Sequence, residues 1–261
     1  MKTIITSAFL LFAVTQMSSA GVQNFDFPTD FNIETQTEQN LQKRIMDSFI
    51  NSFAAQCNNK LDSLIDEISL LYEQNPHSLF LYWKGYALYY NSIYFLKSGD
   101  REKAEEELKK GIGSLEAIEA KNSEDLALLS MLYSFSCQFS GFPKVVELSK
   151  KASDCIERAK KLDSNNLRVC YVEASIDYYT PQEYGGGKKI EGCLIKALSL
   201  QKQKANNPYL PSWGRLESFD LLTDFYIKTK KFEQAKKYID LGLSEYPDSY
   251  SLLNKKSKLK Y

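Results

Sequence analysis

Residues 219–226, Phe-Asp-Leu-Leu-Thr-Asp-Phe-Tyr, lead across Lys230-Lys231-Phe232 to Ala235, Ile239, Gly242 and Pro247, and this stretch decides the fold. Phe219, Leu222, Thr223 and Tyr226 recur at intervals of three and four, which is one face of a helix. Ala235, Ile239 and Gly242 repeat the interval after a short polar turn, so the stretch reads as two antiparallel helices. Small residues let two helix backbones approach closely, and larger ones fill the groove between them.

Outward from this hairpin the second-helix pattern, small or aliphatic, then larger, then usually small, appears four more times. It stands at Leu64/Ile68/Leu71, Ala104/Leu108/Gly111, Ala152/Ile156/Ala159 and Ile190/Leu194/Ala197. First-helix counterparts are Leu126-x2-Leu129-Ser130-x2-Tyr133 and Cys170 with Ala174, and Ser98-Gly99-Asp100-Arg101 makes a turn before Ala104. Only 12 glycines and 7 prolines interrupt the chain, mostly between such segments. In this register the sequence resembles the tetratricopeptide-repeat (TPR) superfamily, whose hairpins repeat about every 34 residues. Spacings of roughly 40, 48, 38 and 45 residues imply extended helices or loops in several repeats. The first-position tryptophan of the family is missing. The resemblance implies an all-α, right-handed solenoid of about five antiparallel helical hairpins, built from degenerate repeats, over residues 40–261. A last helix over Ser249 to Leu259 caps it with lysines.

Ahead of the repeats, residues 1–20 read as a signal peptide. Lys2 precedes an apolar stretch from Ile4 to Val14 that is too short to span a bilayer, and Ser18 and Ala20 are small residues before a cut. Residues 21–39 form a polar, irregular arm. The expected localisation is therefore exported, to the periplasm or the extracellular space, with no membrane insertion of the mature chain.

Composition narrows the chemistry. With 33 basic and 33 acidic residues, nothing marks a nucleic-acid partner. The five cysteines contain no C-x-x-C pair and read as buried apolar residues; were a bond to form, Cys170 with Cys193 is the first pair to test. The one histidine, His77, lies beside Pro76 at a helix start and cannot build a histidine-based zinc site or support a catalytic triad with its usual sequence context. No metal, no cofactor and no enzymatic activity are expected. The glycines of Tyr184-Gly185-Gly186-Gly187-Lys188-Lys189 invite a phosphate-loop reading, but Gln182 stands where that motif needs glycine and Lys189 where it needs Ser or Thr. The loop therefore reads as a tight, positive-φ link between helices, in which a β-branched residue at Gly186 is expected to be destabilising if that glycine has positive φ. Residues 180–187 are also similar to a link in exported bacterial TPR proteins, including periplasmic helical subunits associated with TRAP-type transporters.

What remains is aromatic. Among 17 tyrosines, several crowd two first helices, too widely spread around one helix for all to point inward. The family's register puts positions two, five, nine, twelve and thirteen of each first helix on the concave wall. With Cys170 at four and Ala174 at eight, the wall residues are Arg168, Tyr171, Ser175, Tyr178 and Tyr179. With Leu81 and Gly85 in those places, Tyr82, Tyr86, Tyr89 and Tyr90 join the same surface. Tyr171 and Tyr178 are expected to be partly exposed there, in a groove for a protein, a peptide or a small amphipathic ligand. The alternative is an adaptor subunit of a cell-envelope or transporter assembly that uses its outer face or termini. In the linker Pro208-Tyr209-Leu210-Pro211-Ser212-Trp213-Gly214, Trp213 is expected to pack across a helix end.

Overall fold

A computed structural model describes residues 40–200 and 209–259, so the leader and the arm lie outside the described residues. Eleven α-helices and two 3₁₀ turns are present, and no strand occurs, among the described residues. The helices are α1 (Leu41–Ala55), α2 (Asn59–Gln74), α3 (Ser78–Lys97), α4 (Arg101–Glu116), α5 (Ser123–Ser136), α6 (Lys144–Leu162), α7 (Leu167–Tyr179), α8 (Ile190–Ser199), α9 (Arg215–Lys228), α10 (Phe232–Glu245) and α11 (Tyr250–Lys258). They pair as five consecutive hairpins, α1/α2 through α9/α10, and α11 packs on α10 as a cap. First helices also touch first helices of neighbouring hairpins, which gives the stacking of a solenoid.

Polar residues at the turns set the helix starts. The His77 side chain accepts from the Leu79 amide and caps α3, and burial lowers its imidazole pKa. Asn122 and Asp125 form a reciprocal capping box on α5, while Asn166, Asp100 and Ser249 accept from the first amides of α7, α4 and α11.

Hydrogen bonds fix the register between hairpin partners. The Ser130 hydroxyl donates to the Ala152 carbonyl at 2.7 Å, and the Ser92 hydroxyl donates to the Ala104 carbonyl at 2.7 Å. Ser92, and not Gly85, is thus the counterpart of Ser130. The α3 register lies seven residues later than the sequence suggests, because α3 is extended at its N-terminal end. Seven residues are close to two full turns, so the same stripe still faces the same way. Gly85 meets Gly111 instead: a Cβ at Gly111 would come within 3.2 Å of the Gly85 carbonyl.

The glycine loop is built into this packing. Asp177 fills the position an anion would take at the start of α8, accepting from the amides of Lys189 at 2.6 Å and Ile190 at 3.1 Å. The link does use positive φ, at Gly185 and Gly187 and not at Gly186. A Cβ at Gly186 would overlap the Thr180 carbonyl. Gly186→Val is therefore expected to destabilise the protein by at least about 1–3 kcal/mol through overpacking. Lys188→Ala, on an exposed side chain, is expected to stay within about 0.5 kcal/mol of the parent. Urea denaturation of both variants checks this, and equal tolerance of the two would refute it.

Candidate functional site

The face built from the first helices is the place to look for a site, and part of it is occupied by the chain itself. Residues 209–214 lead into α9 across that face. The Trp83 indole donates to the Tyr209 carbonyl at 2.8 Å, and the Ser212 amide donates to Gln42 Oε1 at 2.7 Å, which ties the segment to α3 and α1. Trp213 then inserts between α3 and α7. Its indole N–H donates to the Tyr82 hydroxyl at 2.8 Å, and its ring stacks on Tyr86 with centroids 5.9 Å apart. Tyr171 meets the same ring edge-on at 6.0 Å. Gly214 follows with φ 106°, a conformation that favours glycine, and a Cβ there would lie 2.6 Å from Leu167. Trp213 is 2% exposed. It packs across the inner face, not simply across a helix end.

Beneath this strap lies a buried ion pair. Arg168 at the start of α7 binds Glu124 at the start of α5 through Nε and through Nη2, the latter at 2.6 Å, while Nη1 donates to the Trp213 carbonyl at 3.0 Å. Asn166, having capped α7 with its oxygen, donates from Nδ2 to Glu124 at 2.7 Å. Burial above all, with the neighbouring Glu124 charge next, holds the Tyr82 hydroxyl well above its usual pKa.

These contacts correct most of the expected wall. Arg168, Tyr171, Ser175, Tyr82, Tyr86 and Tyr90 are buried, and Tyr171, expected to be partly exposed, is only 8% exposed. The physical reason is that α3 is enclosed by α1, α2, α4, α5 and the strap, so aromatics all round it find cover. Tyr89, Tyr178 and Tyr179 are half-buried and line what stays open. Tyr178 and Tyr179 meet edge-to-face at 4.9 Å, Lys228 lies 4.8 Å over the Tyr178 ring, and burial pushes the Tyr178 hydroxyl up to about 12. Asp224 of α9, half-buried, pairs with Lys255 at 2.9 Å.

Glu217 is the wall residue that the register of the two tyrosine-rich helices does not reach. It stands in the first turn of α9, partly exposed, and accepts from the Gly214 amide at 2.7 Å. Applying the wall rule to the closing repeat, with Phe219 at position four, places Glu217 at two and would have found it.

No group of three or more His, Cys, Asp or Glu side chains that could hold a metal ion occurs among the described residues. All five cysteines are free thiols, and burial pushes the Cys193 thiol up to about 12. No helix among the described residues is long and apolar enough to cross a membrane.

Comparison with solved structures turns the stacked hairpins into a named fold. A thermophilic TPR protein of Thermus thermophilus superposes with a TM-score of 0.52, over 85% of this chain and 100% of that one, at 16% sequence identity. The chain has a TPR-like helical-repeat fold. At that identity the likeness concerns the fold alone. No protein-family model matches the chain, and no curated protein does. Within the TPR-like solenoid, the inner face divides into an N-terminal part sealed by residues 209–214 and a part walled by Tyr89, Tyr178, Tyr179, Asp224 and Glu217.

Proposed function

We propose that the mature chain is an exported, non-enzymatic binding protein whose open inner wall takes a peptide, a protein segment or a small amphipathic ligand. The observation that carries this reading is the half-buried set Tyr89, Tyr178 and Tyr179 on the face where first helices meet. Rings so placed leave part of their area available for stacking, a feature suited to recognition. Interaction through such a face is the usual work of a TPR-like scaffold, which supports the reading without identifying the occupant.

The test is affinity recovery from native cell-envelope extract with mass spectrometry, run side by side for the parent chain and Tyr178→Ala/Tyr179→Ala. A partner held by the parent and weakened about tenfold or more by the double variant supports the wall. Undiminished recovery would overturn it. A second reading, an adaptor subunit docking by its outer surface, is favoured by the exposed apolar side chains Leu241, Tyr250 and Leu253 on the last hairpin and cap. It would be indicated by a partner that ignores the tyrosine variant and is lost with Tyr250→Ala/Leu253→Ala.

Export rests on the leader alone. Protein from the native host is expected to have an intact mass lower by about twenty residues, cut near Ala20. A mature form retaining Met1 to Ala20 would refute it.

A further inference from the structure

Glu217 is one of the first-helix carboxylates held by backbone amides. Glu124 has Arg168, and Asp220 and Asp224 have Lys255, whereas Asp125 and Asp177 also bind amides but do so to cap α5 and to seat the start of α8. Among the described residues Glu217 has no lysine or arginine partner, and what its carboxylate accepts comes from backbone amides, that of Gly214 to Oε2 and its own. Arg168, the cation that acts on it electrostatically, is engaged by Glu124 and the Trp213 carbonyl.

The surroundings of Glu217 are aromatic. It is one turn on from Trp213 and accepts from the Gly214 amide, and the Trp213 ring meets Tyr86 and Tyr171; its charge adds to the rise that burial gives the hydroxyls of Tyr86, Tyr89, Tyr90, Tyr171 and Tyr246. Ring contacts connect most of this set: Tyr86 to Tyr90 at 4.9 Å, Tyr90 to Tyr89 at 5.3 Å, and both Tyr86 and Tyr171 to Trp213. Tyr171 adds an independent sign of a missing ligand. It is more than nine-tenths buried, yet its hydroxyl makes no hydrogen bond among the described residues. A buried hydroxyl without a partner is costly unless something supplies one.

We propose that Glu217 and the tyrosines around it form a receptor for one organic cation, an alkylammonium or guanidinium group, carried by a lysine or arginine side chain of the bound segment. This rests on the peptide-binding reading above. A cation would pair with the desolvated carboxylate, lie against tyrosine faces and donate N–H to the Tyr171 oxygen, meeting each unsatisfied feature at once. An anion would be repelled by the carboxylate. A divalent metal would want more oxygen ligands than a single carboxylate and phenols provide.

The test uses the full mature chain and two defined probes, the acetylated and amidated peptide Gly-Lys-Gly and free 1,5-diaminopentane, titrated calorimetrically beside the norleucine peptide. The lysine peptide is expected to bind about tenfold tighter than the norleucine one. Glu217→Gln, which keeps an oxygen for the Gly214 amide, is expected to remove about tenfold, and Tyr171→Phe about threefold. Circular dichroism verifies folding, and if the Glu217 variant does not fold, Tyr171→Phe decides. Equal binding of the lysine and norleucine peptides overturns the cation receptor and leaves the peptide reading standing. Diamine binding that depends on Glu217, without peptide binding, upholds the receptor and overturns the peptide reading. Lysine-peptide binding that ignores both substitutions overturns the placement at Glu217.

Discussion

Trp213→Ala is expected to lower stability by about 3–5 kcal/mol, the range for removing a large buried aromatic side chain. The indole is 2% exposed, stacks on Tyr86, meets Tyr171 edge-on and donates to Tyr82. Its removal leaves a cavity between α3 and α7 and strands the Tyr82 hydroxyl in a site that burial already makes unfavourable for charge. Trp213→Phe keeps part of the stack and loses the indole N–H, so its cost should be smaller. Urea denaturation followed by circular dichroism gives both values. A loss below about 1 kcal/mol for the alanine variant would mean that residues 209–214 are a passive linker.

The other large effect belongs to the ion pair under the strap. Glu124→Ala leaves Arg168, 3% exposed, without its carboxylate, and is expected to cost about 3–5 kcal/mol. Asn166 also loses the acceptor of its amide group. Replacing both charges together, as Glu124→Leu/Arg168→Met, is expected to cost much less than the single changes added together, because an apolar pair of similar volume avoids the desolvation of two charges. A double-mutant cycle measures the difference. Additive single losses would show that the two side chains act independently.

Much of the fold is legible in the residues because repeated spacing is a local signal. Ala104, Ala152 and Ala235 each begin a second-helix pattern, and their hairpins form in the structure. Pro76, beside His77, falls between α2 and α3. The inner face is harder to read, since a repeat register shows which way Tyr82 or Tyr171 points but not what lies in front of it. That depends on a segment up to 170 positions away, where the Ser212 amide reaches Gln42. Tyr209, Leu210 and Trp213 are apolar for a loop, and that is the available hint. The seven-residue slip in α3 arises because Gly85 is small enough for the close-approach position, while the residue that holds that place, Ser92, is identified only by its bond to Ala104.

The strap also alters how the array should come apart. A stack of hairpins in which each touches only its neighbours unfolds piecemeal, fraying from its ends. Here the Trp83 indole reaches Tyr209 and Gln42 reaches Ser212, so the first two hairpins are fastened to the threshold of the last. Opening either end must break the same central contacts. Amide exchange in α1, α3 and α9 should therefore proceed as one cooperative unit, with a high energetic threshold shared by helices far apart in sequence. Contacts of such long sequence separation add loop-closure entropy to the folding barrier, making this chain slower to fold than an open row of five hairpins.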